Sequence, residues 1–218
     1  YSSDVVNGLL TATSGDLYLD EGTLTVTSGS SIASGVRTVV YGASELSITG
    51  GTVALDGNND TWAGGVSISN GNLTISDTSK TGTLTQTGGN TTIYGSNFIL
   101  NDSSDSVIGG NLNVGGASGE SASLRVQDGE IGGNSSVTVN SNAELRVSGG
   151  SVTLDNNDTV SGSVYVDGGT FNANGMNKGA SSSFNQNDGT VNITGQNFNL
   201  NNSSDSFTGG NLNIGDGS

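Results

Sequence analysis

The chain has no cysteine, no proline and no histidine, and each absence removes a class of structure or chemistry. Without cysteine there are no disulfides, no thiol nucleophile and no thiolate metal site. Without histidine the chain lacks the commonest metal ligand and the usual general base near neutral pH. The absence of proline suits an extended sheet, because nearly every backbone N–H can then join a hydrogen-bond ladder.

Positive charge and apolar residues are scarce as well. Five Lys and Arg residues stand against 20 Asp and Glu residues, which gives a net charge of −15, and hydrophobic residues make up 31% of the chain. Five scattered cations form no basic patch, so we expect no binding to nucleic acid. No apolar run approaches the ~18 residues of a membrane-spanning helix, so we expect no membrane insertion of this segment.

What the chain does contain is glycine, with 37 residues, together with many Ser, Thr and Asn residues. These residue types disfavour helices at such density. Between them lie short runs in which Val, Ile or Leu alternates with polar residues, the pattern of a half-buried strand. The composition therefore predicts an all-β protein made of many short strands and tight turns.

A long tandem repeat organises the sequence. Residues 86–118 and 186–218 align at an offset of 100 without a gap, and Glu45-Leu46-Ser47-Ile48 corresponds to Glu144-Leu145-Arg146-Val147. We interpret residues 1–218 as one segment of a longer repeat array, with copies at about 1–101 and 102–201 and a partial copy at 202–218. Both ends fall inside the repeat, so we expect other coils to cover them.

A shorter repeat lies within the long one. Strands that follow a Gly-rich turn begin near Thr52, Asn72, Thr91 and Asn111, about 20 residues apart, so five short units make one long unit. Four-residue strands cannot bury a face alone, so the units must stack. The Asp-Gly and Gly-Gly turns would also suit antiparallel hairpins. The constant period favours a parallel β-helix (β-solenoid) with coils of about 20 residues and roughly ten or eleven coils.

The alternation also predicts which side chains point into the solenoid. One inward column should contain Val152, Phe171, Val191 and Leu212. The other residues expected to point inward in the second copy are Leu154, Val164, Val166, Ile193, Phe198, Leu200 and Ile214.

Few residues are candidates for a functional site. Asp56, Asn58 and Asp60 place oxygen ligands at alternate positions, a partial match to calcium loops, although plain Asx turns explain them as well. The loop Asp102–Asp105 recurs as Asn202–Asp205, which indicates a structural corner that caps backbone N–H groups. Trp62 could stack on a sugar or pack in the interior. Lys80 and Lys178 are equivalent in the repeat and are interpreted as surface residues. We predict no cofactor and no catalytic residue.

The run Gly109-Gly110-Asn111-Leu112-Asn113-Val114 resembles the passenger repeats of bacterial autotransporter adhesins and filamentous-haemagglutinin-like proteins. This resemblance implies a right-handed parallel β-helix exported to the cell surface, where it serves as an adhesin or its stalk. It carries over no functional residues. A weaker resemblance, through Gln86, Asn90 and Gln186 near glycine turns, links the chain to curli-type amyloid subunits.

The expected function is therefore structural or adhesive, in an extracellular fibre at the cell surface, without catalysis. The expected partners are coils of the same or identical chains stacked end to end, with cell-surface glycans or proteins as ligands. The alternatives are a polysaccharide-active β-helix enzyme, such as a lyase or tailspike-like protein, and a curli-like amyloid subunit. An enzyme of this class would need carboxylates, or Arg and Lys with acidic metal ligands, clustered on one side.

Overall fold

The computed structural model describes residues 9–56, 60–76, 78–195 and 198–215. The described chain is all β and winds as a parallel β-solenoid of about nine turns, with equivalent strands about 21 residues apart. The fold class predicted from the sequence is confirmed, and the pairings between named strands are parallel rather than hairpins. The described turns are fewer than the ten or eleven predicted.

The bounds of the strands, in chain order, are as follows: β1 Thr11–Ala12, β2 Gly15–Leu19, β3 Gly22–Val26, β4 Ser31–Ile32, β5 Val36–Val40, β6 Ser44–Leu55, β7 Thr61–Trp62, β8 Gly65–Ser76, β9 Ser79–Lys80, β10 Thr83–Leu100, β11 Ser106–Val114, β12 Ala122–Val126, β13 Glu130–Val139, β14 Ala143–Val147, β15 Ser151–Asp155, β16 Thr159–Val160, β17 Ser163–Asn174, β18 Asn177–Lys178, β19 Ser183–Thr194, β20 Ser206–Phe207 and β21 Asn211–Ile214.

The longest strands run round a corner of the coil, and stacked glycines make one such corner possible. Gly89 and Gly110 both have positive φ, +71° and +74°. A Cβ at Gly110 would lie 2.3 Å from the carbonyl oxygen of Gly89 in the preceding turn. Only glycine combines this backbone conformation with so close an approach of the backbones of two successive turns. The Gly-rich turns of the sequence are therefore the corners of the solenoid.

Each turn contributes strands to three sides, which we name by their register. Side A carries the column Thr25, Ser47, Ser67, Thr85, Ser106, Glu130, Ser151, Thr170, Thr190 and Asn211. Side B carries Ser31, Thr52, Asn72, Asn90, Asn111 and Ser136, and continues through Thr138, Thr159 and Asn177. Side C carries Leu19, Val40, Trp62 and Lys80, and later Leu100, Val126, Val147, Val166, Gln186 and Phe207.

The core is a stack of inward-pointing side chains from the three sides. Val152, Phe171, Val191 and Leu212 pair in register as predicted, and the first three of them are buried. Phe184 packs against Phe171, Phe198 and Phe207 with ring centroids 5.2–5.7 Å apart. Each fully buried Val, Leu or Phe contributes about 1.5–3 kcal/mol of hydrophobic stabilisation.

Most of the residues predicted to point inward are buried: Val152, Leu154, Val164, Val166, Val191 and Ile193. Phe198 is half-buried and packs against the core. In contrast, Leu200, Leu212 and Ile214 are exposed, with Ile214 at 72%. They belong to the last described turn, and no later turn among the described residues covers them. Leu212 and Ile214 still pair in register with Val191 and Ile193.

The two copies of the long repeat do not lie directly above one another. The strand beginning at Ser44 lies on side A, whereas its counterpart beginning at Ala143 pairs with β12 on side C. Likewise Thr52 lies on side B, and its counterpart Ser151 lies on side A. About 100 residues at about 21 per turn fall short of five turns by about one side. The second copy is therefore rotated by about a third of a turn.

Candidate functional site

Two repeat-equivalent aspartates form clamps between successive turns, each at the corresponding corner of its own copy. The Asp105 carboxylate accepts the Leu84 N–H of the preceding turn at 2.7 Å and the Asp102 N–H of its own loop at 3.0 Å. One copy later, Asp205 accepts the Phe184 N–H at 2.8 Å and the Asn202 N–H at 3.0 Å. Each carboxylate thus satisfies backbone donors that the corner leaves outside the strand ladder. The predicted capping role of this loop is confirmed.

The first residue of each loop makes an Asx turn. Asp102 accepts the Ser104 N–H at 2.8 Å, and this hydrogen bond lowers the pKa of Asp102 below its usual value. Asn202 accepts the Ser204 N–H at 2.9 Å in the same way. An amide oxygen can accept this hydrogen bond in place of a carboxylate oxygen. The replacement of Asp102 by Asn202 between the copies therefore preserves the turn.

A second loop, present in both copies, carries the same kind of clamp. Asp158, 1% exposed, accepts the Val137 N–H of the preceding turn at 2.6 Å and the Asp155 N–H at 2.5 Å. Burial raises the pKa of Asp158 to about 6, although both backbone N–H donors act in the opposite direction. Its counterpart Asp60 is 3% exposed and accepts the Thr38 N–H at 2.7 Å. Asp158 is therefore a buried carboxylic acid that gains or loses its proton near pH 6.

The calcium hypothesis stays a prediction. Asp60 uses one carboxylate oxygen in the corner clamp, Asp56 is half-buried, and Asn58 lies outside the described residues. The equivalent loop contains an Asx turn, since Asp155 accepts the Asn157 N–H at 2.8 Å. Within the described ranges, no three His, Cys, Asp or Glu side chains are placed to hold a metal ion. Calcium titration of the wild type and of Asp60→Asn, followed by thermal unfolding, would test the hypothesis.

The interpretation of Lys80 and Lys178 as surface residues is wrong. Lys80 Nζ lies 2.6 Å from Asp105 Oδ2, and the two side chains are 1% and 0% exposed. Lys178 Nζ lies 3.2 Å from Asp205 Oδ2, with side chains 1% and 6% exposed. A lysine can occupy an inward position because the next turn provides a carboxylate for it. The signal in the sequence was that Lys80 and Lys178 recur together with Asp105 and Asp205.

The amides of Gln86 and Gln186 are also buried, 0% and 1% exposed, in the inward columns of their sides. Gln86 Nε2 donates to the Asn111 carbonyl of the next turn at 3.0 Å, and Gln186 Nε2 donates to Asn211 at the same distance. Reasoning from the sequence linked these residues to glycine turns but did not place them in the core. The two glutamine amides therefore form further hydrogen bonds between successive turns.

Outward-facing Asn side chains form ladders between stacked turns. Asn90 donates to Asn72 at 2.8 Å, and Asn111 donates to Asn90 at 2.6 Å. A second ladder joins Asn172, Asn192 and Asn213 on side A. Trp62 is 1% exposed, and its indole N–H donates to the Gly64 carbonyl at 3.0 Å. Trp62 therefore packs in the core and presents no face to a sugar.

Side C carries three arginines that reach solvent: Arg37, Arg125 and Arg146. The Arg146 guanidinium stacks 4.5 Å from the centre of the Tyr165 ring and pairs with Glu144 at 2.8 Å and with Asp167. The pKa of Arg146 is raised, mainly by its hydrogen bond to Glu144. The Arg37 guanidinium lies over the Tyr18 ring in a similar way, with its Cζ atom 5.5 Å from the ring centre. Side C therefore carries solvent-accessible aromatic and cationic groups.

Comparison with protein-family models, curated proteins and solved structures found no match to this chain. The part of the chain described by the structure contains no helix long and apolar enough to cross a bilayer. The main feature of the described structure is a set of buried polar side chains that join one turn to the next.

Proposed function

We propose that this chain is a structural β-solenoid segment of an extracellular surface fibre or adhesin stalk, and that it performs no catalysis. The observation that carries the proposal is that several of the chain's charged side chains are buried and bonded within the stack. Lys80, Lys178, Asp105, Asp158 and Asp205 are buried and bonded to neighbouring turns or corner loops. These groups, which a polysaccharide-active enzyme would hold open to its substrate, stabilise the stacking of the coils.

The dimensions suit such a role. About nine turns at a spacing of about 4.8 Å give a rod of roughly 40 Å from 218 residues. The parallel ladder continues along side A from β3 to β21. A rod held by continuous backbone hydrogen bonds is stiff, and its short corners offer few extended segments to proteases.

The edge formed by β21 suits stacking on a further coil. Leu212 and Ile214 continue the inward columns of Val191 and Ile193 and are exposed on their far side. A strand edge with in-register apolar residues is a template for another parallel strand. We infer that a further coil, of the same or an identical chain, lies against this edge. Surface glycans or proteins would bind the outer sides, where Tyr18, Tyr165 and the side C arginines offer stacking and charged hydrogen bonds.

Electron microscopy of the purified chain, together with limited proteolysis, tests the structural proposal. We expect thin rods that resist proteases and associate end to end with increasing concentration. Compact particles that are digested at the same rate as an unfolded chain would contradict it. Antibody labelling of intact, unpermeabilised source cells tests the location. Signal only after permeabilisation would contradict surface exposure.

Activity assays separate the alternatives. The chain is incubated with pectate and with a panel of bacterial and plant polysaccharides, and new reducing ends or unsaturated products are measured. Turnover that disappears when an exposed acidic residue is substituted would favour the enzyme. Filaments that bind amyloid dyes and persist in strong denaturant would favour the curli-like subunit. We expect neither result.

A further inference from the structure

Lys80 places an amine in contact with both an acid and a primary amide. Its Nζ lies 2.6 Å from Asp105 Oδ2 and 3.2 Å from Asn101 Oδ1. The Trp62 ring covers the amine, with its centroid 6.0 Å from Nζ. The cluster of Lys80, Asn101 and Asp105 thus combines a nucleophile, a carboxamide with ammonia as its leaving group, and a proton carrier.

A buried lysine–aspartate pair does not need a side-chain amide beside it, so the contact between Lys80 and the Asn101 amide calls for another explanation. In the second copy, Lys178 Nζ pairs with Asp205 and donates to the Ser182 carbonyl at 2.9 Å. No side-chain amide is among the recorded partners of Lys178 in the described part of the chain. The buried pair is therefore complete without an amide, and the Asn101 contact is particular to the first copy. Lys178 provides an internal control for the same buried charge pair.

We propose that Lys80 and Asn101 form an isopeptide bond within the chain. The Lys80 ammonium transfers a proton to Asp105 across their hydrogen bond, and the free amine attacks Cγ of Asn101. Asp105 relays protons from the attacking nitrogen to the departing amide nitrogen. The bond from Lys80 Nζ to Asn101 Cγ forms, and the bond from Cγ to the amide nitrogen breaks. Ammonia leaves with the original ammonium proton as ammonium ion, and Asp105 is a carboxylate again.

The surroundings favour this reaction in three ways. Asp105 is held in place by the Leu84 and Asp102 N–H groups, so it does not depend on Lys80 for its position. The side chains of Lys80 and Asp105 are buried, so the nucleophile and the proton carrier are held together away from bulk water. Asn101 is exposed, so the ammonium ion can leave into solvent.

The bond would join residues 21 positions apart, which lie in successive turns. It would close a covalent ring of about one coil around the core, and β9 could then not separate from the turn that follows it. The ring constrains the unfolded chain as a disulfide of similar span does. This inference does not depend on the proposed function, because the bond requires only the fold.

Intact mass spectrometry of the purified full chain tests the proposal. We expect the wild type to lose the mass of one ammonia molecule. Proteolysis should release a branched peptide that contains Lys80 and Asn101. Asn101→Ala, a change at an exposed side chain, should remain folded and keep its full mass. Lys178→Arg should still lose one ammonia. Circular dichroism verifies that each variant is folded.

Two results would overturn the proposal. The first is a folded wild type that keeps its full mass after prolonged incubation. The second is the same ammonia loss in Asn101→Ala, because the loss would then arise elsewhere, for example from a succinimide at Asn70-Gly71. Asp105→Asn tests the proton carrier: where the variant folds, the rate of ammonia loss should fall at least tenfold.

Discussion

The buried carboxylate of Asp158 should make the stability of the solenoid depend on pH. Its pKa is about 6 in the folded protein, because burial disfavours the charged form. In the unfolded chain the usual value of 3.8 applies. Between these two values the folded protein holds a proton that the unfolded chain has lost. The free energy of unfolding contributed by this group therefore falls as the pH rises through this window.

The magnitude follows from the size of the window. About two pH units at about 1.4 kcal/mol each give at most about 3 kcal/mol. Asp158→Ala removes this dependence and leaves the Val137 and Asp155 N–H groups without their acceptor. Each unpaired buried N–H costs about 1–3 kcal/mol. We expect Asp158→Ala to be destabilising, most strongly near pH 4, with a difference from the wild type that shrinks by up to about 3 kcal/mol toward pH 7.

Urea unfolding followed by far-UV circular dichroism, at several pH values from about 2 to about 8, measures this difference. Asp102→Asn is the control of opposite sign, because the pKa of Asp102 is lowered by the Ser104 N–H. Its contribution to stability should be present near neutral pH and be lost as the pH falls below about 4. A difference between the wild type and Asp158→Ala that is flat or grows with pH would refute the reasoning.

Three further predictions concern backbone and core. Gly169 has φ +64° and a Cβ there would lie 2.3 Å from the Gly149 carbonyl oxygen, so Gly169→Ala should cost at least about 3 kcal/mol. Gly15, with φ +93° and open space, is the control, and Gly15→Ala should cost about 1–2 kcal/mol. Val164→Asp puts an unpaired charge in the core and should cost several kcal/mol, and unfolding at the wild-type temperature would refute the inward assignment. Lys178→Met should cost about 3–5 kcal/mol at pH 7, since it removes the cation that pairs with the buried Asp205, and a loss under about 1 kcal/mol in urea unfolding would contradict this.

The coil and its inward columns could be predicted because they depend on two short-range patterns. Alternation assigned Val152 and Val191 to the interior, and the constant period placed them in one column. The burial of Lys80 could not be predicted in the same way, because a lysine is normally exposed. Its partner Asp105 is 25 residues away, and only the stacking of turns brings the two together.

The rotation between the two copies was missed for a different reason. The repeat of 100 residues is visible in the sequence, but the number of turns that it fills depends on the residues in each coil. Gly65 pairs with Thr83 at an offset of 18, whereas Ser106 pairs with Glu130 at an offset of 24. Their mean is about 21 rather than 20, so 100 residues fall about one side short of five turns. Equivalent surface residues of the two copies therefore face different directions around the rod.

The buried pairs also address a problem common to all solenoids, the choice of register. Val, Ile and Leu recur at the inward positions of nearly every turn, so apolar packing alone discriminates weakly between correct and shifted stacking. Lys178 and Asp205 match only when their turns are adjacent, and a shift by one turn would leave two buried charges unpaired. We therefore expect Lys178→Met/Asp205→Asn to recover part of the stability lost in Lys178→Met, yet to refold less faithfully. Size-exclusion chromatography at low protein concentration, after dilution from urea, measures the fraction that returns at the elution volume of the native wild type. A double variant that refolds with the wild-type yield would show that the pair stabilises the stack without selecting its register.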